Sequence, residues 1–205
     1  MSEIRTVHLA VYDTMSDWEA AYAIAHINRP VWQREPGRYQ VRTVGETREP
    51  VTTAGGVRVV PDLTVDEVQP GDSAMLILVG SDLWANGSHA AFTSLADRFL
   101  TAGVTVAAIC GATFGLARGG ILDRYDHTSN AAEYLAMSGY RAGGRYRAGP
   151  AVTDRNLITA SGTAPMDFAR EIFVALDLYE PHVLDAWYRL YHDQDAGAWP
   201  ILAAA

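Results

Sequence analysis

Cys110 is the single cysteine among 205 residues, and its neighbours give it a chemical setting. It closes an apolar run, Val104 to Ile109, and is followed by Gly111-Ala112-Thr113 ahead of a helical stretch expected from Phe114 to Leu122. A strand-to-helix turn between small residues lets a nucleophile project, and the first N–H groups of a helix favour a thiolate over a thiol. One thiol makes neither an intramolecular disulfide nor a multi-cysteine zinc site. Two readings of the residue stay open: a reactive thiol at a tight elbow, or a small buried hydrophobe of the kind free cysteine often is.

Other reactive side chains are less pointed. Ser16-x-x-Glu19 has the spacing of a capping box at the start of a helix. His8 falls in a strand, His26 on a helix, His89 at a helix start, and His182 and His192 in the last helix, so each reads as a packed or surface residue, and no pair has metal-ligand spacing. Gly115 and Gly119-Gly120 lack the spacing and acidic partner of a dinucleotide fingerprint. Arg141, Arg145 and Arg147, among turn glycines and tyrosines, read as a solvated loop. Trp84, a large aromatic just past an apolar run, suits a small pocket or an interface.

The elements that must position these residues follow from hydrophobic periodicity. Thr6 to Tyr12 reads as a strand and Ser16 to Asn28 as a helix stopped by Pro30. Tyr39 to Val44 alternates as a strand with one polar side, and Gly55-Gly56 marks a hairpin within Val51 to Val60, expected at the sheet edge. Ala74 to Val79 and Val104 to Ile109 are apolar on both faces, as parallel strands covered on both sides should be. A helix from about His89 to Ala102 lies between them, and Val152 to Ser161 reads as strand, turn and strand. Helices over Ala164 to Leu178 and Pro181 to His192 precede the apolar tail Ala198 to Ala205, which suits a cover for the sheet or for a neighbouring subunit. Alternating strands and helices predict an α/β domain with a mostly parallel sheet, and no linker divides residues 1–205; the last helix and tail begin near residue 180. Cys110 then falls at the carboxyl end of a central strand, where open α/β sheets bind ligands.

The stretch AAICGATFGLARGGILDRYDHTSN, with LILVGSDLW before it and MSDWEAAYAI after the first strand, resembles the DJ-1/PfpI family of the class I glutamine amidotransferase-like superfamily. The resemblance runs from about Thr6 to Leu178 and implies a flavodoxin-like three-layer sandwich. It implies a reactive cysteine at Cys110 and a carboxylate from the first helix against it, Glu19 by position, with Asp17 as the alternative. Oxyanion donors would come from Gly111 and from the turn Val79-Gly80-Ser81, where the family usually has Pro-Gly-Gly. PfpI-like peptidases place a histidine directly after the cysteine, where this chain has Gly111, so peptidase activity fits least well. Other members supply a histidine from the segment after the elbow helix, which places either His127 or Asn130 beside the sulfur. An imidazole serves as a general base and an amide does not, so the two imply different chemistry.

The reading is thus a cysteine-dependent enzyme acting on a small carbonyl, amide or related electrophile, with an oxidation-sensing protein or a metabolite-binding pseudoenzyme as alternatives. No metal or cofactor is expected. Twenty-four acidic against sixteen basic residues give a net charge of -8, which disfavours nucleic acid and anionic membranes as partners. With no targeting segment and no run of 18 apolar residues, the expectation is a cytoplasmic protein with a small-molecule substrate, and the resemblance adds a homodimer.

Overall fold

Strand β1 (Arg5–Ala10) opens the computed structural model, which describes residues 4–205. It is followed by α1 (Ala21–Asn28), β2 (Tyr39–Gly45), the short β3 (Val51–Thr52), β4 (Arg58–Val59) and β5 (Leu63–Thr64), then β6 (Ser73–Leu78) and α2 (Ala90–Thr101). The second half holds β7 (Thr105–Ile109), α3 (Gly111–Arg118), α4 (Ala132–Ala136), β8 (Ala151–Asp154), β9 (Leu157–Ala160), α5 (Pro165–Leu176), α6 (Pro181–Tyr191) and α7 (Trp199–Ala203). Seven strands form one sheet in the order β5-β2-β1-β6-β7-β9-β8, parallel except for the β8–β9 pair. Helices α1 and α5 pack together against the sheet, and α2 packs with α3 and against β6 and β7. This is the three-layer flavodoxin-like α/β arrangement.

The middle of the sheet explains its own sequence. Leu76 and Ile77 of β6 lie beside Val106 and Ala107 of β7, all fully buried, because both faces carry helices. From β1 the chain turns outward to β2, and it later returns to place β6 on the other flank of β1. The loops after β1 and β6 therefore diverge, leaving a crevice at the carboxyl ends of these strands. The loops after β7 and β9 border the same end.

Several expectations need correction. The first helix begins at Ala21, not Ser16, because residues 17–20 form turns; Ala20 is its N-cap, so the capping box is not made and Glu19 is free to turn inward. The elbow helix starts at Gly111, directly after the cysteine, not at Phe114. The Gly55-Gly56 hairpin forms, with Gly56 at φ +80°, but β3 and β4 make a separate two-stranded sheet, and the main sheet's edges are β5 and β8. The apolar tail is helical in α7; it buries Ala198 and Leu202 and leaves Trp199 half exposed.

Histidines join the layers. Trp187 Nε1–H on α6 donates to His26 Nε2 at 3.0 Å, so the neutral ring carries its proton on Nδ1 and donates to the Tyr179 hydroxyl at 2.8 Å. Ser73 Oγ donates to Gln69 O at 2.8 Å and so accepts from His8 Nδ1 at 2.9 Å. Among the described residues no helix is long and apolar enough to cross a membrane.

Candidate active site

Cys110 has φ 58° and ψ -122°, a conformation that side chains rarely adopt and that costs on the order of 1–3 kcal/mol. Three hydrogen bonds hold its backbone there. Its N–H donates to Ala160 O at 3.0 Å, and its carbonyl accepts from Thr113 N–H at 3.1 Å and from Thr113 Oγ1 at 2.6 Å. With its proton so used, Thr113 Oγ1 accepts from buried Ser129 Oγ at 2.6 Å. The sulfur is thereby thrust from the carboxyl end of β7 toward the crevice, and the residue stays partly accessible.

Glu19 enters from the turn before α1 and is 1% exposed. Gly80 N–H donates to its Oε2 at 2.5 Å, while Oε1 is buried without a hydrogen-bond partner among the described residues. A Cβ on Gly162 would fall 2.7 Å from Cys110 Sγ and 3.3 Å from Glu19 Oε1, and one on Gly80 would fall 2.9 Å from Oε1 and 3.1 Å from Cys110 Cβ. The unpartnered oxygen and the sulfur thus border one small space between two glycines. Asp17, the alternative carboxylate, instead accepts the Gly55 N–H at 2.7 Å and anchors the hairpin.

The segment after α3 delivers Asn130 to the sulfur, not His127. Gly162 N–H donates to Asn130 Oδ1 at 2.8 Å, which turns Nδ2 toward Cys110 Sγ, 3.3 Å away. The amide is therefore a donor to sulfur. His127 has no exposed surface; its Nδ1 pairs with Tyr125 O at 2.8 Å, its Nε2 lies 3.4 Å from the Tyr140 hydroxyl, and its backbone bonds Arg145 and Arg147. Its ring is spent on holding the 140–147 loop.

Of the expected oxyanion donors, Gly80 is already engaged by Glu19. Ser81 and Gly111 N–H have no backbone or side-chain oxygen acceptor among the described residues, and a Cβ on Gly111 would lie 3.2 Å from Ser81 N. The Ser81 N–H is thus unpaired beside the elbow, and the Gly111 N–H faces the sulfur. Ser81 Oγ is held by Thr14 Oγ1 at 2.8 Å and His89 Nε2 at 3.1 Å, which fixes the turn. Trp84 supports it from below and is 1% exposed: Nε1–H donates to Val79 O at 2.8 Å, and a Cβ on Gly115 would strike its ring at 2.1 Å, so α3 needs glycine there. It lines a cavity of about 400 Å³ between α2 and α3, and a second cavity of about 300 Å³ lies beside Tyr12 and Glu46; neither is lined by Cys110 or Glu19.

Burial dominates the electrostatics. It raises the Glu19 carboxyl above its ordinary range, against the pull of Gly80 and Cys110. It also pushes the thiol up to about 11, with the Glu19 charge adding to it and the Asn130 amide and Gly111 N–H opposing. The helix start alone does not make a thiolate here, because burial and a neighbouring carboxylate outweigh it. Three contributors gave no local signal in sequence: Gly162, which lies against the sulfur, Trp18, whose Nε1–H donates to Gly162 O at 3.3 Å, and Tyr134, whose ring packs on Phe114 at 5.2 Å.

Known proteins share this arrangement of chain. A family model described as DJ-1/PfpI family matches residues 5–175. A Bacillus subtilis protein called "Uncharacterized protease YoaZ" is 41% identical over 195 residues, which is 94% of this chain and 93% of that one. The structure of a thiJ/pfpI family protein from Bacillus anthracis superposes with a TM-score of 0.92 at 38% identity, covering 100% of this chain and 98% of that one. A DJ-1 superfamily protein from Agrobacterium tumefaciens gives a TM-score of 0.78 at 32% identity, over 92% and 100% of the two chains.

Proposed function

The chain belongs to the DJ-1/PfpI family, and from that premise we propose that it is a cysteine-dependent enzyme acting on a small carbonyl, amide or related electrophile, with Cys110 as nucleophile and Glu19 as its proton partner. The observation that carries this reading is the buried, unpartnered Glu19 Oε1 sharing a space with the sulfur while Oε2 is held by Gly80. An ionised carboxylate there can take the proton of the neighbouring thiol, and a carboxylic acid there can give it back.

With an aldehyde the step balances simply. Sulfur bonds to the carbonyl carbon, the thiol proton passes to Glu19, and the carbonyl π pair becomes an oxyanion met by the Ser81 and Gly111 N–H groups. Glu19 then returns the proton to that oxygen, giving a hemithioacetal and the starting carboxylate. Asn130 steadies the sulfur as an anion by donation and takes no proton. All sixteen residues counted as lysine or arginine are arginines, so no lysine amine competes for carbonyls by imine formation.

Peptide hydrolysis, the activity in the name of the B. subtilis relative, is less well supported, because Gly111 and Asn130 stand where an imidazole would be needed. Oxidation of Cys110 without turnover is the rival role. The test is turnover of a panel of small aldehydes, dicarbonyls and amides, with Cys110→Ala as the inactive control. Glu19→Gln is expected to lower kcat about a hundredfold, the usual worth of a positioned acid–base group, with KM little changed. Turnover that survives Cys110→Ala contradicts the reading; a wild type without turnover whose Cys110 gains two oxygens at low peroxide favours the redox role.

A further inference from the structure

Trp18 is 54% exposed, yet it is held at three points. Asp17 before it accepts the Gly55 N–H, Glu19 after it accepts the Gly80 N–H, and its own Nε1–H donates to Gly162 O at 3.3 Å. Gly162 is the residue against the sulfur, since a Cβ there would meet Sγ at 2.7 Å. A rigid indole with unburied apolar surface therefore stands one glycine from the nucleophile. Half-buried Tyr134 packs on Phe114 of the elbow helix, their ring centroids 5.2 Å apart.

We propose that Trp18 is a specificity-determining residue that gives the thiol a preference for uncharged electrophiles bearing an apolar or aryl substituent, which packs on the indole while the reacting carbon meets Sγ. This rests on the nucleophilic role proposed for Cys110 and adds the class of electrophile. Anionic substituents are disfavoured because an ionised Glu19 acts across the same space, and cationic ones because packing on the indole strips their hydration. A ring laid on an indole face removes enough apolar surface from water for roughly a tenfold advantage.

Alkylation of the only cysteine tests this without any substrate. The rates of N-benzyl iodoacetamide and iodoacetamide at Cys110, each divided by its rate with glutathione, are compared by intact mass. Wild type is expected to favour the benzyl reagent about tenfold, Trp18→Ala to fall near parity, and Trp18→Phe to keep most of the preference. An unchanged ratio in folded Trp18→Ala, or equal slowing of both reagents, overturns the proposal and leaves Trp18 as a brace for Gly162. Loss of the preference in Trp18→Ala, in a protein that turns over no carbonyl, upholds the indole's role and removes the enzymatic one.

Discussion

Gly162→Ala is expected to lower Cys110-dependent turnover about a thousandfold while shifting the thermal midpoint by only a few degrees. The added methyl would lie 2.7 Å from Sγ, 2.9 Å from Cys110 Cβ and 3.3 Å from Glu19 Oε1, so something must move. The Cys110 backbone cannot follow easily, pinned by Ala160 and Thr113 at a positive φ. Either the sulfur rotates away from Glu19, or the 161–163 loop lifts and breaks the Asn130 and Trp18 hydrogen bonds. A displacement near 1 Å costs about a hundredfold, and weakened proton transfer adds the rest. Position 162 is half-buried at the rim of the fold, which is why stability should change little. Kinetics beside a melting curve check this; near wild-type turnover would mean that the sulfur has room the geometry denies.

Acid should unfold the protein through its histidines before its surface carboxylates matter. Burial lowers His8, His26 and His89 to about 4 from an ordinary value of 6.5. Between those values the unfolded chain binds more protons than the folded one, so stability is full above about pH 6.5 and drains as pH falls toward 4. Each ring contributes at most about 3 kcal/mol, less where solvent screens the charge, so the three together make up a sizeable part of the stability of a typical domain. Glu19 works the other way, because its raised pKa makes acid favourable to the fold and offsets part of the loss. Asp62 and Glu67, held below their usual values by Thr43 and Thr64, lose their contributions only at lower pH. Urea titrations from pH 7 to pH 4 are expected to show the unfolding free energy falling by about 5 kcal/mol or more. A flat profile across that window would contradict the buried, neutral state of these rings.

Legibility in the sequence followed how local each cause was. Strands β6 and β7 were readable because both faces are buried, which leaves uninterrupted apolar runs. Cys110 was readable because small residues after such a run mark an elbow. Ser16-x-x-Glu19 misled because the spacing that caps a helix also lets a turn send Glu19 into the core, where Gly80, 61 residues away, receives it. Likewise His127 and Asn130 are three residues apart in one loop, and what separates them is remote: Gly162 orients Asn130, and Tyr125 with Tyr140 absorbs the imidazole. Trp84 was legible as a pocket residue, and it lines the cavity between α2 and α3; its contact with Gly115 was not, since that exists only once α3 packs over the turn after β6. Gly162 itself is one glycine among 18, with nothing nearby to single it out.

The central claim is that the thiol and the Glu19 carboxyl share one proton, and the pH dependence of Cys110 alkylation tests it most directly. Two interacting groups titrate as a pair. In the wild type the rate should rise in two steps, a lower one at the raised pKa of Glu19 and an upper one near the thiol's value of about 11. In Glu19→Gln the lower step should vanish and leave a single ionisation. A single step near an ordinary thiol pKa of about 8.5, the same in both proteins, would contradict the account.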